Sequence, residues 1–199
     1  MQRLTILAPL AMLVAIAQPV SQSWLPNLTE QPDAFIQRFY RQVVAAHDPG
    51  GVPSGADWKA LKPFLSGELI KSIDLTRSCQ EDWLRKNHGQ MIKAPFAWGE
   101  AGLFSGANER TAPQAFQIEK TELKNDETSL VYVSLRGGGP PEKPWTWEIA
   151  VRVVQDNGHP AVDDVTYLKD EDGIDEYKLS QVLVMGCNGP HWVGSHDKL

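Results

Sequence analysis

The sequence predicts an α+β fold in which N-terminal helices pack on a curved antiparallel sheet of about four strands. Three observations carry that prediction. Apolar residues recur at helical spacing up to about residue 87, the period changes to two from residue 116, and Asn157-Gly158 is a two-residue hairpin signal between apolar runs. Over residues 33–47 the apolar positions are Phe35, Ile36, Phe39, Tyr40, Val43, Val44 and His47, one face of an amphipathic helix. Pro32 and Asp33 supply its start and Asp48-Pro49-Gly50-Gly51 its stop. Asp57 then caps a short helix bearing Trp58, Leu61, Phe64 and Leu65, with Pro63 breaking it or marking its last turn. Residues 66–87 form a longer helix whose stripe is Leu69, Ile73, Thr76, Gln80, Trp83 and Leu84, with Cys79 at the edge of that stripe.

Residues 88–115 show no clean period and are punctuated by glycine and proline, which makes them a long loop with aromatic anchors Phe96, Trp98 and Phe104. Phe116 and Ile118 open an alternation that runs to Leu123, and residues 124–127 turn the chain into a second strand over 129–135. That strand is apolar on both faces, the pattern of a central strand. Gly137-Gly138-Gly139-Pro140-Pro141 is a loop and not a phosphate cradle, because no Lys-Ser or Lys-Thr follows it. In the next strand Trp145, Trp147, Ile149, Val151 and Val153 take one face, and Thr146, Glu148, Ala150 and Arg152 the other. The last clear strand covers 161–167, and residues 177–185 read as a short helix or an edge strand.

The chain has 199 residues, a net charge of −6 and 42% hydrophobic residues, which suits one globular domain and excludes a long multidomain enzyme. An acidic balance argues against nucleic acid or an anionic membrane as partner. Residues 1–17, with Arg3 ahead of an apolar stretch and Ala15-Ile16-Ala17 at its end, read as a secretory signal peptide; a cut as late as residue 23 is the alternative. Residues 18–32 are then an N-terminal lead, 33–185 the domain and 186–199 a tail. The apolar run is short for a membrane span, so no stable span remains after cleavage, and the expected location is periplasmic or secreted. Losing Arg3 leaves 18 basic against 25 acidic residues, a mature charge of −7.

Cys79 and Cys187 are the two cysteines, and an oxidising compartment favours a disulfide between them. It would close a loop of about 110 residues and tether the tail to the long helix. The alternative is two separate buried thiols.

The order of helices, aromatic loop and strands resembles small exported bacterial proteins with a nuclear transport factor 2-like, cystatin-like cone fold, many of which carry only a domain-of-unknown-function label. The residues that carry the likeness are Phe35-Ile36-Gln37-Arg38-Phe39-Tyr40, Leu103-Phe104-Ser105-Gly106, Trp145-Thr146-Trp147-Glu148-Ile149-Ala150-Val151 and Val162-Asp163-Asp164-Val165-Thr166-Tyr167. The resemblance implies a pocket between helices and sheet, used in that fold for ligands, for subunit contacts, or by enzymes of the ketosteroid isomerase and dehydratase type.

Were the pocket catalytic, Asp163 or Asp164 would be the carboxylate base, and Tyr40 or Tyr167 the hydrogen-bond donor to a developing enolate. Strict alternation puts Asp163 on the face of Val165 and Tyr167, and Asp164 on that of Val162 and Thr166, so only one aspartate enters the pocket. The structural alternative is a polar pair that hydrogen-bonds a neighbouring segment. Asp170, Asp172, Asp175 and Glu176 lack the order of a calcium loop, and Cys187, His191 and His196 lack a fourth zinc ligand, so no metal is expected. No motif calls for a cofactor. Of seven tryptophans, Trp58, Trp83, Trp145 and Trp147 sit at core periods, whereas Trp98 and Trp192 lie in loops. The reading that results is a non-catalytic binding or protein-interaction module, compatible with an inhibitor-like role and with a homodimer. Its partner is a protein or small ligand of the cell envelope, contacted through Phe96, Trp98 and Phe104. A small pocket enzyme and a glycan-binding envelope protein are the alternatives.

Overall fold

A computed structural model describes residues 30–46, 51–91, 102–106, 112–125, 127–138, 143–168 and 176–185. Helix α1 (Pro32–Ala45) is followed by α2 (Gly55–Leu61), a 3-10 turn (Lys62–Phe64) and α3 (Gly67–Lys86). Five strands come next: β1 (Ala115–Asn125), β2 (Thr128–Gly137), β3 (Trp145–Asp156), β4 (His159–Tyr167) and the two-residue β5 (Tyr177–Lys178). Helix α4 (Leu179–Val184) closes the order. The strands form one antiparallel open sheet in sequence order, a meander. The α+β class is therefore as the periodicity predicts, with a short fifth strand added. Residues 177–185 turn out to be both a strand and a helix.

The amphipathic stripes explain the packing. Phe35, Ile36, Phe39, Tyr40 and Val43 of α1 and Leu69, Ile73, Thr76 and Trp83 of α3 are buried. Helix α1 lies against β1 and β2, and α3 against β4 and α4; their stripes share one core with Val131, Val133, Leu135, Ile149, Val151 and Val153 of the inner face of β2 and β3. Each fully buried side chain of this size contributes roughly 1.5–3 kcal/mol by leaving water. Ser66 caps α3 by accepting a hydrogen bond from the Leu69 N–H at 3.1 Å, and Asn87 is its C-cap. Two details depart from expectation. Leu84 is 52% exposed and not part of the stripe, since it lies one residue past Trp83 on the side that turns to solvent. Asp57 sits inside the first turn of α2, whose N-cap residue is Ser54. His47 lies outside the described residues.

Asn157 and Gly158 both have positive φ, 53° and 80°, and join Asp156 to its partner His159, the two-residue turn that suits a twisted hairpin. Strand β2 is internal, with one face fully buried and the other half-buried. The register slips at three points, leaving Glu119 and Lys124 of β1 and Asp163 of β4 as extra residues opposite a partner that has none. Such bulges bend a strand and reverse the facing of everything beyond them. Within β4 the slip changes the facing inferred from strict alternation. Val162 pairs with Val153, and Val165 with Val151, so Val162 lies on the inner face with Val165 and Tyr167 and not beside Asp164. Asp164 pairs with Arg152 on the other face, and Asp163 is the unpaired bulge residue.

Candidate functional site

Around the inner face of the sheet the chain supplies its own filling. Leu103, Phe104 and Ser105 are buried, and Gly106 closes a tight turn in which its N–H donates to the Gly102 carbonyl at 2.8 Å. Phe104 meets Phe39 edge to face, with ring centroids 5.3 Å apart, and Phe39 meets Tyr40 in the same way at 5.2 Å. These arrangements set a ring edge against a neighbouring π face and add to the area buried.

Three successive carbonyls of this turn each accept a hydrogen bond from an aromatic side chain. The Tyr167 hydroxyl donates to Leu103 O at 2.6 Å, the Tyr40 hydroxyl to Phe104 O at 2.8 Å, and the Trp147 Nε1–H to Ser105 O at 2.7 Å. The donors come from β4, α1 and β3, so one turn ties three elements together. Outside a helix or sheet ladder these carbonyls need such partners, since a buried backbone acceptor left unpaired costs about 1–3 kcal/mol. Burial pushes the Tyr40 hydroxyl well above its ordinary pKa of 10.0, which keeps it a neutral donor. Gly106 is required here. Its φ is +68°, and a Cβ at this position would stand 2.5 Å from the Tyr167 ring.

The two aspartates are engaged with helices. Asp164, 6% exposed, accepts the Ser180 N–H at 3.0 Å and the Ser180 hydroxyl at 2.7 Å, both in the first turn of α4, and the Val165 N–H at 2.9 Å. Asp163 accepts the Ser66 hydroxyl at 2.7 Å, the cap of α3, and forms an ion pair with Arg152. Beside them the Asp156 carboxylate accepts the Gly67 N–H at 2.7 Å, and the Ser66 N–H donates to Val162 O at 2.8 Å. The free N–H groups of two helix starts are thus met by carboxylates from β4 and the end of β3, which the helix dipole also favours.

Of the residues expected to matter, the structure brings Tyr40, Tyr167 and Phe104 together around the turn, with Asp164 on the other face of β4 and Asp163 in its bulge. Phe104, expected at a contact surface, is instead fully buried core. Phe96, Trp98, Trp192 and Cys187 lie outside the described residues, as do Asp170, Asp172, Asp175, His191 and His196 of the weak metal leads. Cys79 is half-buried against the core. Among the described residues no group of three or more His, Cys, Asp or Glu could hold a metal ion, and no helix is long and apolar enough to cross a membrane. Trp145 and Trp147 stack at 4.2 Å, and Trp58 packs under the Arg77 guanidinium at 4.8 Å. Ser66, Ser180 and Trp147 as polar partners escaped the sequence reading. Only the serine of Ser66-Gly67-Glu68, which opens a helical pattern, carries a local signal.

No protein-family model matches the chain, no curated protein matches it, and no solved structure matches it.

Proposed function

We propose that the chain is an exported bacterial protein, periplasmic or secreted, with a nuclear transport factor 2-like cone shape, and that it acts as a non-catalytic binding or protein-interaction module of inhibitor-like kind. One observation carries this reading. The four described groups expected to serve proton-transfer chemistry are each engaged in the fold: Tyr40 and Tyr167 hold the carbonyls of the buried turn, Asp164 holds α4, and Asp163 holds the start of α3. A base needs a free lone pair within reach of substrate, and a catalytic donor needs an open acceptor site. Helices followed by a bulged meander, with an aromatic turn inside, are in keeping with the cone shape.

Partner contact then falls to Phe96 and Trp98, which precede the buried turn in sequence. A disulfide between Cys79 and Cys187 belongs to the same proposal. Thr76, one helical turn before Cys79, donates its hydroxyl to Leu183 O at 3.0 Å, and Cys187 follows Leu183 by four residues. That span of chain can reach about 13 Å, enough to return to α3. Among the described residues there is no free cysteine.

Retention of envelope proteins on the immobilised mature chain, identified by mass spectrometry, tests the reading. The expected result is a partner retained by the native chain and lost on Trp98→Ala with an unchanged melting temperature. Recovery of no partner, together with a turnover that disappears in Asp163→Asn or Asp164→Asn while the fold persists, would establish the enzyme instead. Export is tested by the N-terminus of the mature protein, expected at Gln18 or at Trp24. If the denatured, unreduced protein takes up two thiol-blocking groups, there is no bridge.

A further inference from the structure

We propose that the free edge of β1 is a self-association surface at which a second copy of this chain adds its own β1 antiparallel, about a two-fold axis at Thr121. Strand β1 ends the sheet order and is 11 residues long. Its paired neighbour is β2, and among the described residues no loop or turn backbone group bonds to it. Among the described residues its outward N–H and C=O groups are therefore those of an unpaired sheet edge, the template on which another strand adds. Leu123, on this strand, is 77% exposed.

The charges decide which strand fits. Between the bulges at Glu119 and Lys124 the strand is regular for four residues, Lys120, Thr121, Glu122 and Leu123. Lys120 and Glu122 share the outer face of the sheet, pairing with Tyr132 and Leu130. Added antiparallel strands keep like faces together, so the symmetric registers are few. A two-fold axis on Lys120 sets lysine opposite lysine, and one on Glu122 sets glutamate opposite glutamate. An axis on Leu123 runs at once into the Lys124 bulge. An axis on Thr121 alone gives a regular ladder in which Lys120 of each copy faces Glu122 of the other. It also lays Leu123 beside the stem of Glu119 from the second copy. The lysines that guard this edge against unrelated strands thus select one partner, a copy of the same edge.

The test uses the full mature chain in sedimentation equilibrium, with Lys120→Glu and Glu122→Lys as separate variants. The native chain is expected to show a reversible dimer. Each variant alone sets like charges opposite each other twice per dimer and is expected to weaken association about tenfold. Mixed in equal amounts, the two variants restore opposite charges at both positions, and a heterodimer is expected at native strength. Because each variant serves as the other's rescue, recovery on mixing also shows that both are folded. A native chain that stays monomeric, a dimer indifferent to either reversal, or a mixture that fails to recover would each overturn the proposal.

Discussion

The two edges of the sheet are built on opposite principles. Along β4 the edge is closed: Ser66 bonds back to Val162, β5 pairs with Thr166 and Tyr167, and α4 is fastened by Asp164. Along β1 no strand among the described residues pairs with the outer edge, which carries Lys120, Glu122 and Lys124, with Lys120 and Lys124 each 2.7 Å from the Glu122 carboxylate. Carboxylates serve both, yet differently. Asp164 is buried and holds backbone N–H groups in place, whereas the Glu122 side chain is 35% exposed and sets a charge pattern. Burial decides the role, because an exposed ion pair is weak and screened while a buried carboxylate with three donors is costly to remove.

The largest expected effect is therefore at the closed edge. Asp164→Ala leaves the Ser180 N–H, the Ser180 hydroxyl and the Val165 N–H without an acceptor and should destabilise by about 3–4 kcal/mol. In a thermal melt that corresponds to a fall of roughly 10 °C. Little change would mean that α4 is not fastened there. Next comes the region between the edges. Tyr40→Phe strands the Phe104 carbonyl and should cost about 1–2 kcal/mol. It should also alter the alkaline limb. The Tyr40 pKa is raised in the folded protein, so its contribution is fully present below the ordinary tyrosine pKa of about 10 and lost as pH rises through the folded value. Urea melts between neutral pH and pH 11 should show a steeper loss for the native chain than for the variant.

Asp163→Ala is a smaller change, about 1–2 kcal/mol, because Arg152 is half exposed and Ser66 retains its bond from Leu69. The smallest belongs to the open edge. Hydrogen bonds from Lys120 and Lys124 lower the Glu122 pKa to about 2. Its stabilisation is present above the ordinary carboxylate pKa of 4.5 and is lost as pH falls toward 2. Acid titration of the Glu122 carboxylate by NMR should show that low midpoint drifting upward in high salt.

How far the sequence could be read follows from the same contrast. The long amphipathic helices and the Asn157-Gly158 hairpin were legible because their signals are local. The facing of Val162 was not, since the extra residue Asp163 bonds to Ser66, 97 residues away, and pairs with Arg152 of the neighbouring strand, contacts that periodicity does not show. Nor was the filling of the sheet's inner face legible, because the turn of Leu103, Phe104, Ser105 and Gly106 is aperiodic and its carbonyls are satisfied by side chains 42 to 64 residues away. The open edge escaped for another reason: alternating charge in an isolated strand resembles any solvated strand until its neighbours are known.

Hydrogen exchange on the full chain, measured at low and at high protein concentration, reads both edges at once. With β4 closed by its own chain and β1 closed by a second copy, amides 163–165 should be protected equally at both concentrations. Those of 120–123 that point outward should exchange freely when dilute and slow on concentration. Exchange at 120–123 that is the same at both concentrations, or amides 163–165 as open as those of β1, would contradict it.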